Sequence, residues 1–431
     1  MSDKKIRTFG WSYAQLPAEQ AHLFRRLGLH PGAEFGVHAA AVLAELDLAT
    51  ANRRLDALAD AHLIERVGDK RYRLHDLLHT YAAHRADVDD TADGRHRART
   101  AVLTWYAHTA RTADRPLFPG LPYLEVELNP VVHNIVLDDR EQALEWLNRE
   151  QANLMAALRT AVQHHLYDIA LVLATTARFL ILHNRTLWTV RAEAETLGLT
   201  AAQASHNRAA EAFLRGFRGE TLTELEKLSE AEADFTAQLA LARELHDPIH
   251  ERFALGGLGR VRMQQKRYPE AVQYYQKALP LARRAADRRP EAVVECNLSQ
   301  INAHLGRYEQ ALHHAERELA LRRHAGDHVG KAYALWNQAV ARQGLGEHDT
   351  AIELTDQAME MYRTLAGTEN LRAPVLETAA ISLEHIGDVT LAAERLTEAR
   401  VLLQEIDAPR ADALRDRAHT LMSRAADPNS E

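Results

Sequence analysis

The chain holds 24 histidines, the side chain that most readily binds metals and moves protons near neutral pH. His75 and His79 are four apart, a helical spacing that puts both on one face, and His164-His165 and His313-His314 are adjacent. A zinc site needs three or four ligands at compatible spacing. None of these sets has a convincing third and fourth, so no metal site is expected. Acid–base couples such as Glu224 and Lys227 are abundant only because the chain is charged throughout. The run Gly256-Gly257-Leu258-Gly259 lacks the Lys-Ser/Thr that completes a phosphate-binding loop, and no Gly-x-x-x-x-Gly-Lys-Ser/Thr occurs elsewhere. There is no nucleophile motif and no dinucleotide fingerprint. The chain is therefore expected not to be an enzyme and to need no cofactor.

Side chains suited to binding recur at a fixed interval. Ala231, Ala271, Ala311 and Ala351 are spaced by 40, and Ala392 follows after 41. Leu239, Leu279, Leu319 and Met359 keep the step, as do Arg243, Arg283, Arg323 and Arg363, and the small residues Gly219, Gly259, Ser299 and Ala339. Self-similarity at a fixed period marks a solenoid of stacked units. Between the small residues lie Lys266-Arg267-Tyr268, Gly306-Arg307-Tyr308, Gly346-Glu347-His348 and Gly387-Asp388-Val389, read as turns between paired helices. Small, turn, aromatic and small residues at these offsets resemble the tetratricopeptide pattern. The usual period of that repeat is ~34, so longer helices or longer loops between repeats must absorb about six residues. The recurring arginine could be a ligand ladder, but near a helix end it more readily caps carbonyls and offsets the dipole.

In such repeats the first helix of each pair lines a concave groove. The step of 40 aligns Arg260 with Gln300, Cys296 with Trp336, and Asn297 with Asn337. An asparagine amide both donates and accepts, so it can grip a peptide main chain. Trp336 and Tyr333 add apolar area, and Arg260 can pair with a carboxylate. A protein, peptide or acidic small ligand held by Arg260, Asn297, Gln300, Tyr333, Trp336 and Asn337 is the expectation. The alternative is that both asparagines bond the neighbouring helix and stiffen the stack.

Composition agrees with an all-helical frame. The 431 residues are 46% hydrophobic, with net charge −8, a single cysteine, and only 20 Gly and 13 Pro. One cysteine excludes an intrachain disulfide and suits a reducing compartment. No run approaches the ~18 apolar residues of a spanning helix, and no signal peptide follows Met1-Ser2-Asp3-Lys4-Lys5, so a cytoplasmic location is expected.

The first 90 residues read differently. Pro17 suits the first turn of a helix carrying Leu23, Phe24 and Leu27, which Gly28 stops. A second helix follows from about Val37 to Leu46, and Thr50 can cap a third that buries Leu55 and Leu58. Leu63 to Val67 and Arg71 to Leu74, around Gly68-Asp69, form a hairpin, the only β-structure expected; a helix from Asp76 to His84 closes the unit. Three helices and a hairpin make a winged helix. Residues 1–84 carry eleven Lys and Arg against ten Asp and Glu, and the third helix bears Asp56 and Asp60. Duplex DNA binding rests on phosphate contacts from Lys and Arg, so DNA is not the expected partner. Asp87 to Gly94 reads as a polar linker, and Arg115 to Leu137, with Pro116, Pro119, Pro122 and Pro130, as an irregular loop.

Gly10-Trp11-Ser12-Tyr13, Leu16-Pro17 and Leu27-Gly28-Leu29-His30-Pro31-Gly32 resemble the segment after the nucleotide-binding core of actinobacterial STAND regulators. These are NB-ARC ATPases related to antibiotic-regulatory proteins. Arg71-Tyr72-Arg73-Leu74-His75-Asp76-Leu77-Leu78 is similar to the Met-His-Asp motif that closes their winged helix, with Leu74 in the Met position. The resemblance extends through Trp105-Tyr106 and Ala143 to Leu154. It implies that His75 and Asp76 once sensed a nucleotide. The nucleotide-binding domain itself is absent from this sequence, so a second chain would have to supply the phosphate. The alternative is a partly buried histidine at a helix start.

The expected fold is thus all-α: a winged-helix domain (1–90), a helical linker with degenerate repeats (91–205), a right-handed tetratricopeptide-like solenoid (206–424) and a flexible tail (425–431). The expected function is a non-enzymatic regulatory sensor or adaptor whose groove binds a partner, with a nucleotide-binding domain in trans as a further candidate. The alternative is a peptide-responsive transcription factor that reads DNA through the winged helix.

Overall fold

The computed structural model describes residues 10–118, 123–137, 139–182, 187–365, 368–404 and 407–426. The expected tail at 425–431 therefore lies almost wholly outside the described residues, as do Pro119 and Pro122. The chain forms two compact units, Met1–Leu241 and Ala242–Glu431.

In the first unit, α1 (Ala18–Leu27) buries Leu23, Phe24 and Leu27 at the spacing of one helical face. Strand β1 (Glu34–Gly36) leads into α2 (Val37–Ala44). Helix α3 (Leu48–Asp60) is capped by Asp47, which accepts from the Thr50 amide at 2.9 Å, so the cap stands three residues before the Thr50 proposed from sequence. A carboxylate here also meets the positive end of the helix dipole. Strands β2 (Glu65–Gly68) and β3 (Arg71–Arg73) form the expected hairpin. The sheet has a third strand that the sequence did not disclose: β1 pairs antiparallel with β3, giving the order β1-β3-β2. Three residues are too few for alternation to show, and Phe35 is legible only once its ring lies near-parallel to Tyr72, 6.3 Å away.

Helix α4 (Asp76–Asp89) runs five residues past its predicted end, and α5 (Ala92–Leu117) starts almost at once. The polar stretch read as a linker is a two-residue bend. Asp90 holds Arg25 at 3.0 Å and Arg26 at 3.3 Å, and Thr91 caps α5. One hydrophobic core runs from Tyr13 to Leu214 through both sides of this bend.

The proline-rich segment is not irregular in its pairing. Trp105 Nε1 donates to the His133 carbonyl at 3.1 Å, His108 Nε2 lies 2.8 Å from the Asn129 carbonyl, and Arg111 donates to Val126 at 2.8 Å. Donors one turn apart on α5 thus hold residues 126–133 as an extended strap, chain direction reversed. Helices α6 (Arg140–Gln163, capped by Asp139), α7 (Tyr167–Thr176), α8 (Trp188–Ala204), α9 (Arg208–Glu224) and α10 (Leu228–Glu244) follow.

The second unit is built from α11 (Pro248–Gln264), α12 (Tyr268–Arg284), α13 (Arg289–His304), α14 (Tyr308–His324), α15 (His328–Gly344), α16 (His348–Arg363), α17 (Glu369–Ile386), α18 (Val389–Leu403) and α19 (Ala408–Ala426). From α8 to α16 each helix has 16 or 17 residues. The step of 40 is therefore two long helices and two short turns, and the extra residues sit in the helices. A left-handed residue recurs at steps of 20 at His206, Glu226, His246, Lys266, Gly306, Gly326 and Gly346, with the step at 286 skipped. Each time the next amide reaches back to the last helical turn, as Arg307 does to the Asn302 carbonyl at 2.9 Å. The expected turns at Lys266, Gly306, Gly346 and Gly387 stand where the sequence put them.

The small residues make room for specific neighbours. A Cβ on Gly219 would lie 2.8 Å from the Phe235 ring, and one on Gly259 2.6 Å from the Tyr275 ring. At the next two steps the first residue grows to Ser299 and Ala339 while the second shrinks to Ala315 and Thr355. The turn aromatic packs between repeats: Tyr268 stacks on His304 at 4.7 Å, Tyr308 covers Gly344, and His348 stacks on His385 at 4.3 Å.

Candidate binding groove

Helices α11, α13 and α15, the first of their pairs, carry the six residues singled out above. Three of them join a ridge across successive repeats. Gln300 on α13 donates to the Tyr333 hydroxyl at 3.0 Å. The Tyr333 and Trp336 rings on α15 meet edge to face at 5.1 Å. Trp336 Nε1 then donates to Thr378 Oγ1 on α17 at 2.9 Å. All three side chains are half-buried, so each keeps surface toward solvent. Burial pushes the Tyr333 hydroxyl up to about 12, and it stays protonated at any working pH.

The two asparagines do different things. Asn337 is buried and donates to Glu318 on α14 at 2.9 Å, with the Cys296 sulfur 3.6 Å away. Its amide binds the neighbouring helix. Asn297 is half-buried and donates to Val293 of its own helix at 2.7 Å. Arg260 stands one repeat earlier, its charge felt by the buried Tyr275 hydroxyl. Nearby, an added Cβ on Gly256 would meet nothing within 4 Å, so the backbone there is open to close approach.

Glu318 and Thr378 belong to this cluster and were not foreseen, and Cys296, which the step of 40 aligned with Trp336, joins them outside the expected ligand set. Glu318 is fully buried. Loss of hydration outweighs its bond from Asn337 and the Arg322 charge at 3.6 Å, raising its carboxyl to about 7. Burial raises the Cys296 thiol well above its usual range, so it is not a reactive nucleophile. The sequence held one signal for Glu318: it stands at the step of Ala278 and Ala358, where alanine is the norm.

Three of the four recurring arginines pair with carboxylates instead of serving either proposed role. Arg243 pairs with Glu251 at 2.9 Å, Arg283 with Glu291 at 3.2 Å and Glu295 at 3.0 Å, and Arg363 with Glu398 at 3.4 Å. A guanidinium gains more from a carboxylate than from a helix carbonyl, and each of these three ties one helix to a later one. Glu291, fully buried, also receives Arg288 and Arg317, which hold its carboxyl below the usual range.

In the first unit His75 is exposed, not partly buried. It takes the N-cap position of α4 without a capping bond, and Nε2 lies 3.1 Å from Glu65. Asp76 opens α4 beside it, also exposed. Two of the cations around α3 are answered by carboxylates, while Arg53 is exposed and donates to the Thr50 hydroxyl at 2.9 Å. Arg66 binds both Asp56 (3.1 Å) and Asp60 (3.0 Å), and Arg54 binds Glu19.

The family model for the tetratricopeptide repeat matches residues 208–284, 251–324 and 290–364, overlapping windows that each span about two helix pairs. The chain carries tetratricopeptide repeats. Such repeats generally mediate protein or peptide binding. The chain is also homologous to regulatory proteins named AfsR. It is 37% identical over 153 residues to that of Streptomyces griseus, which is 35% of this chain and 16% of the relative. With that of Streptomyces coelicolor it shares 34% over 163 residues, again 35% and 16%. The chain thus spans about one sixth of the length of the curated relatives it matches. Among solved structures, a STAND protein with a tetratricopeptide repeat sensor from Pyrococcus horikoshii covers 96% of this chain at 13% identity and TM-score 0.42, with 64% of that protein covered. A tetratricopeptide repeat protein from Parabacteroides merdae covers 64% at 14% identity and TM-score 0.43, with 98% of it covered. No helix among the described residues is long and apolar enough to cross a membrane.

Proposed function

We propose that the chain is a non-enzymatic regulatory adaptor whose repeat groove binds a protein or peptide partner. The observation that carries this reading is the half-buried ridge of Gln300, Tyr333 and Trp336. It offers aromatic area and polar edges on two successive first helices and is tied to a third through Thr378. Aromatic residues pinned by internal bonds lose little entropy on binding and suit the centre of an interface. Asn297 and Arg260 flank the ridge and complete the ligand set; Asn337 supports it from behind through Glu318. Homology to regulatory proteins supports a role in signal transduction or transcriptional regulation. A cytoplasmic setting belongs to the same proposal.

The N-terminal helices and three-stranded sheet are, on this reading, a winged helix that transmits the state of the groove. Its third helix is poorly suited to DNA, since Arg66 and Arg54 are neutralised by Asp56, Asp60 and Glu19. Exposed His75 and Asp76 suit contact with a nucleotide-binding domain in trans. Fluorescence anisotropy with duplex DNA separates this from the transcription-factor reading. Binding should be weak and fall steeply with salt; nanomolar, sequence-selective binding at physiological salt would favour direct DNA reading.

A further inference from the structure

Glu291 and Glu295 stand four apart on one face of α13, and both are buried, at 0% and 1% exposure. The step of 40 sets Glu295 with Leu255 and Leu335, which are core residues. A carboxylate in a leucine position forfeits apolar burial and must be desolvated. What it holds in exchange lies at the surface.

Three guanidiniums and an imidazole converge there. Arg283, at the end of α12, reaches Glu291 at 3.2 Å and Glu295 at 3.0 Å. Arg288, in the turn before α13, reaches Glu291 at 3.0 Å, and Arg317 on α14 reaches it at 3.1 Å. His314 Nδ1, also on α14, lies 2.6 Å from Glu295. The buried carboxylates thus fix the heads of three long side chains that would otherwise rotate freely. An arginine held in place beforehand loses less entropy when it binds.

The carboxylates do not use the arginines up. A guanidinium has five N–H donors; Arg288 and Arg317 each give one to Glu291, and Arg283 gives two to the pair. The three side chains remain 51%, 51% and 48% exposed. Three cations stand against two carboxylates, and the positive end of α13 adds to the excess. Arg289 beside them is matched by Asp287 at 2.8 Å. A local positive excess on a chain of net charge −8 favours an anionic partner. Because the heads meet around one carboxylate, the anion they suit is compact rather than a run of spaced carboxylates. A phosphomonoester is compact, carries nearly two charges and offers three acceptor oxygens that guanidinium forks match. The site is open, so a free phosphate would have little else to touch, whereas a peptide that carries one gains flanking contacts.

We propose that Arg283, Arg288 and Arg317 form a docking site for a phosphorylated serine or threonine of a partner protein. Gln300 follows Glu291 by nine positions, roughly two and a half helical turns. The site therefore lies on the other side of α13 from the groove ridge and is a second, independent interaction surface.

The test is fluorescence anisotropy on the full chain with pools of short labelled peptides, degenerate except for a central phosphoserine, serine or glutamate. The phosphoserine pool should bind saturably and at least tenfold tighter than the other two. Inorganic phosphate should compete at least tenfold more weakly than unlabelled phosphopeptides. Arg288→Gln should weaken the phosphoserine pool at least tenfold with circular dichroism and melting unchanged, while Arg415→Gln, at an exposed arginine of α19, should not. Should Arg288→Gln melt early, Arg288→Lys keeps a cation beside Glu291 but not the fork, and should weaken binding at least threefold. Equal binding of the three pools, inorganic phosphate competing as well as the phosphopeptides, or undiminished binding by a folded Arg288 variant would each overturn the proposal.

Discussion

Glu318 is the residue whose chemistry the fold changes most. A carboxyl raised from 4.5 to about 7 is favoured in its protonated form by the folded state. Its contribution to stability is complete below the unfolded value near 4.5 and is lost as pH rises through about 7. Over that window the loss approaches roughly 3 kcal/mol, at 1.4 kcal/mol for each unit of difference. Glu318→Gln keeps an acceptor for Asn337 and cannot ionise, so the gap between variant and wild-type urea midpoints should widen in favour of the variant from pH 5 to pH 8. A gap independent of pH would show that Glu318 ionises normally. His30 runs the other way: burial lowers it to about 4, so stability present above pH 6.5 is lost as pH falls toward 4. His30→Gln should flatten that acid limb in the same assay. Neither shift was legible in the sequence, because burial of one polar side chain in an amphipathic helix depends on which helix packs over it. Trp336, Tyr333 and Gln300 were legible, because a fixed step aligned their helices. The opposite fates of Asn297 and Asn337 were not, since they share one position of the repeat and differ only in their neighbours.

At the scale of elements, the regularity makes stability predictable from position. Lys266 and His246 adopt left-handed conformations with φ of 58° and 54°, where glycine stands at Gly306, Gly326 and Gly346. Side chains resist that region by about 1–2 kcal/mol, so Lys266→Gly and His246→Gly should each raise stability by about 0.5–1 kcal/mol in urea titrations. Gly306→Ala should lower it by a similar amount. Gly259 tests packing instead. A methyl there meets the buried Tyr275 ring, so Gly259→Ala should cost about 1–3 kcal/mol. Tyr275→Ala removes a buried ring and costs stability by itself, but with that ring gone a methyl at Gly259 meets no clash, so the double variant should lose less than the sum of the two single variants. Simple additivity would contradict the pairing. The helices and turns of the array were readable because one pattern repeats. The strand β1 and the strap were not, because their hydrogen bonds go to residues up to 39 and 28 positions away.

At the scale of the molecule, one chain joins a repeat unit suited to partners with an N-terminal unit in which Arg54 and Arg66 are paired within the fold. With no phosphate-binding loop in its sequence, the chain should show no micromolar ADP binding by calorimetry; saturable binding would mean that the residues beside His75 form a nucleotide site unaided. The central claim is that the ridge of Gln300, Tyr333 and Trp336 is where a protein or peptide partner binds. The most direct measurement is site-specific photocrosslinking in the source cells, with a benzophenone amino acid placed at Gln300 or, as control, at the exposed Glu316 on α14. A discrete adduct from position 300, missing from position 316 and diminished by Trp336→Ala in a folded chain, is the predicted result. Equal adducts from both positions, or an adduct indifferent to Trp336, would contradict the account.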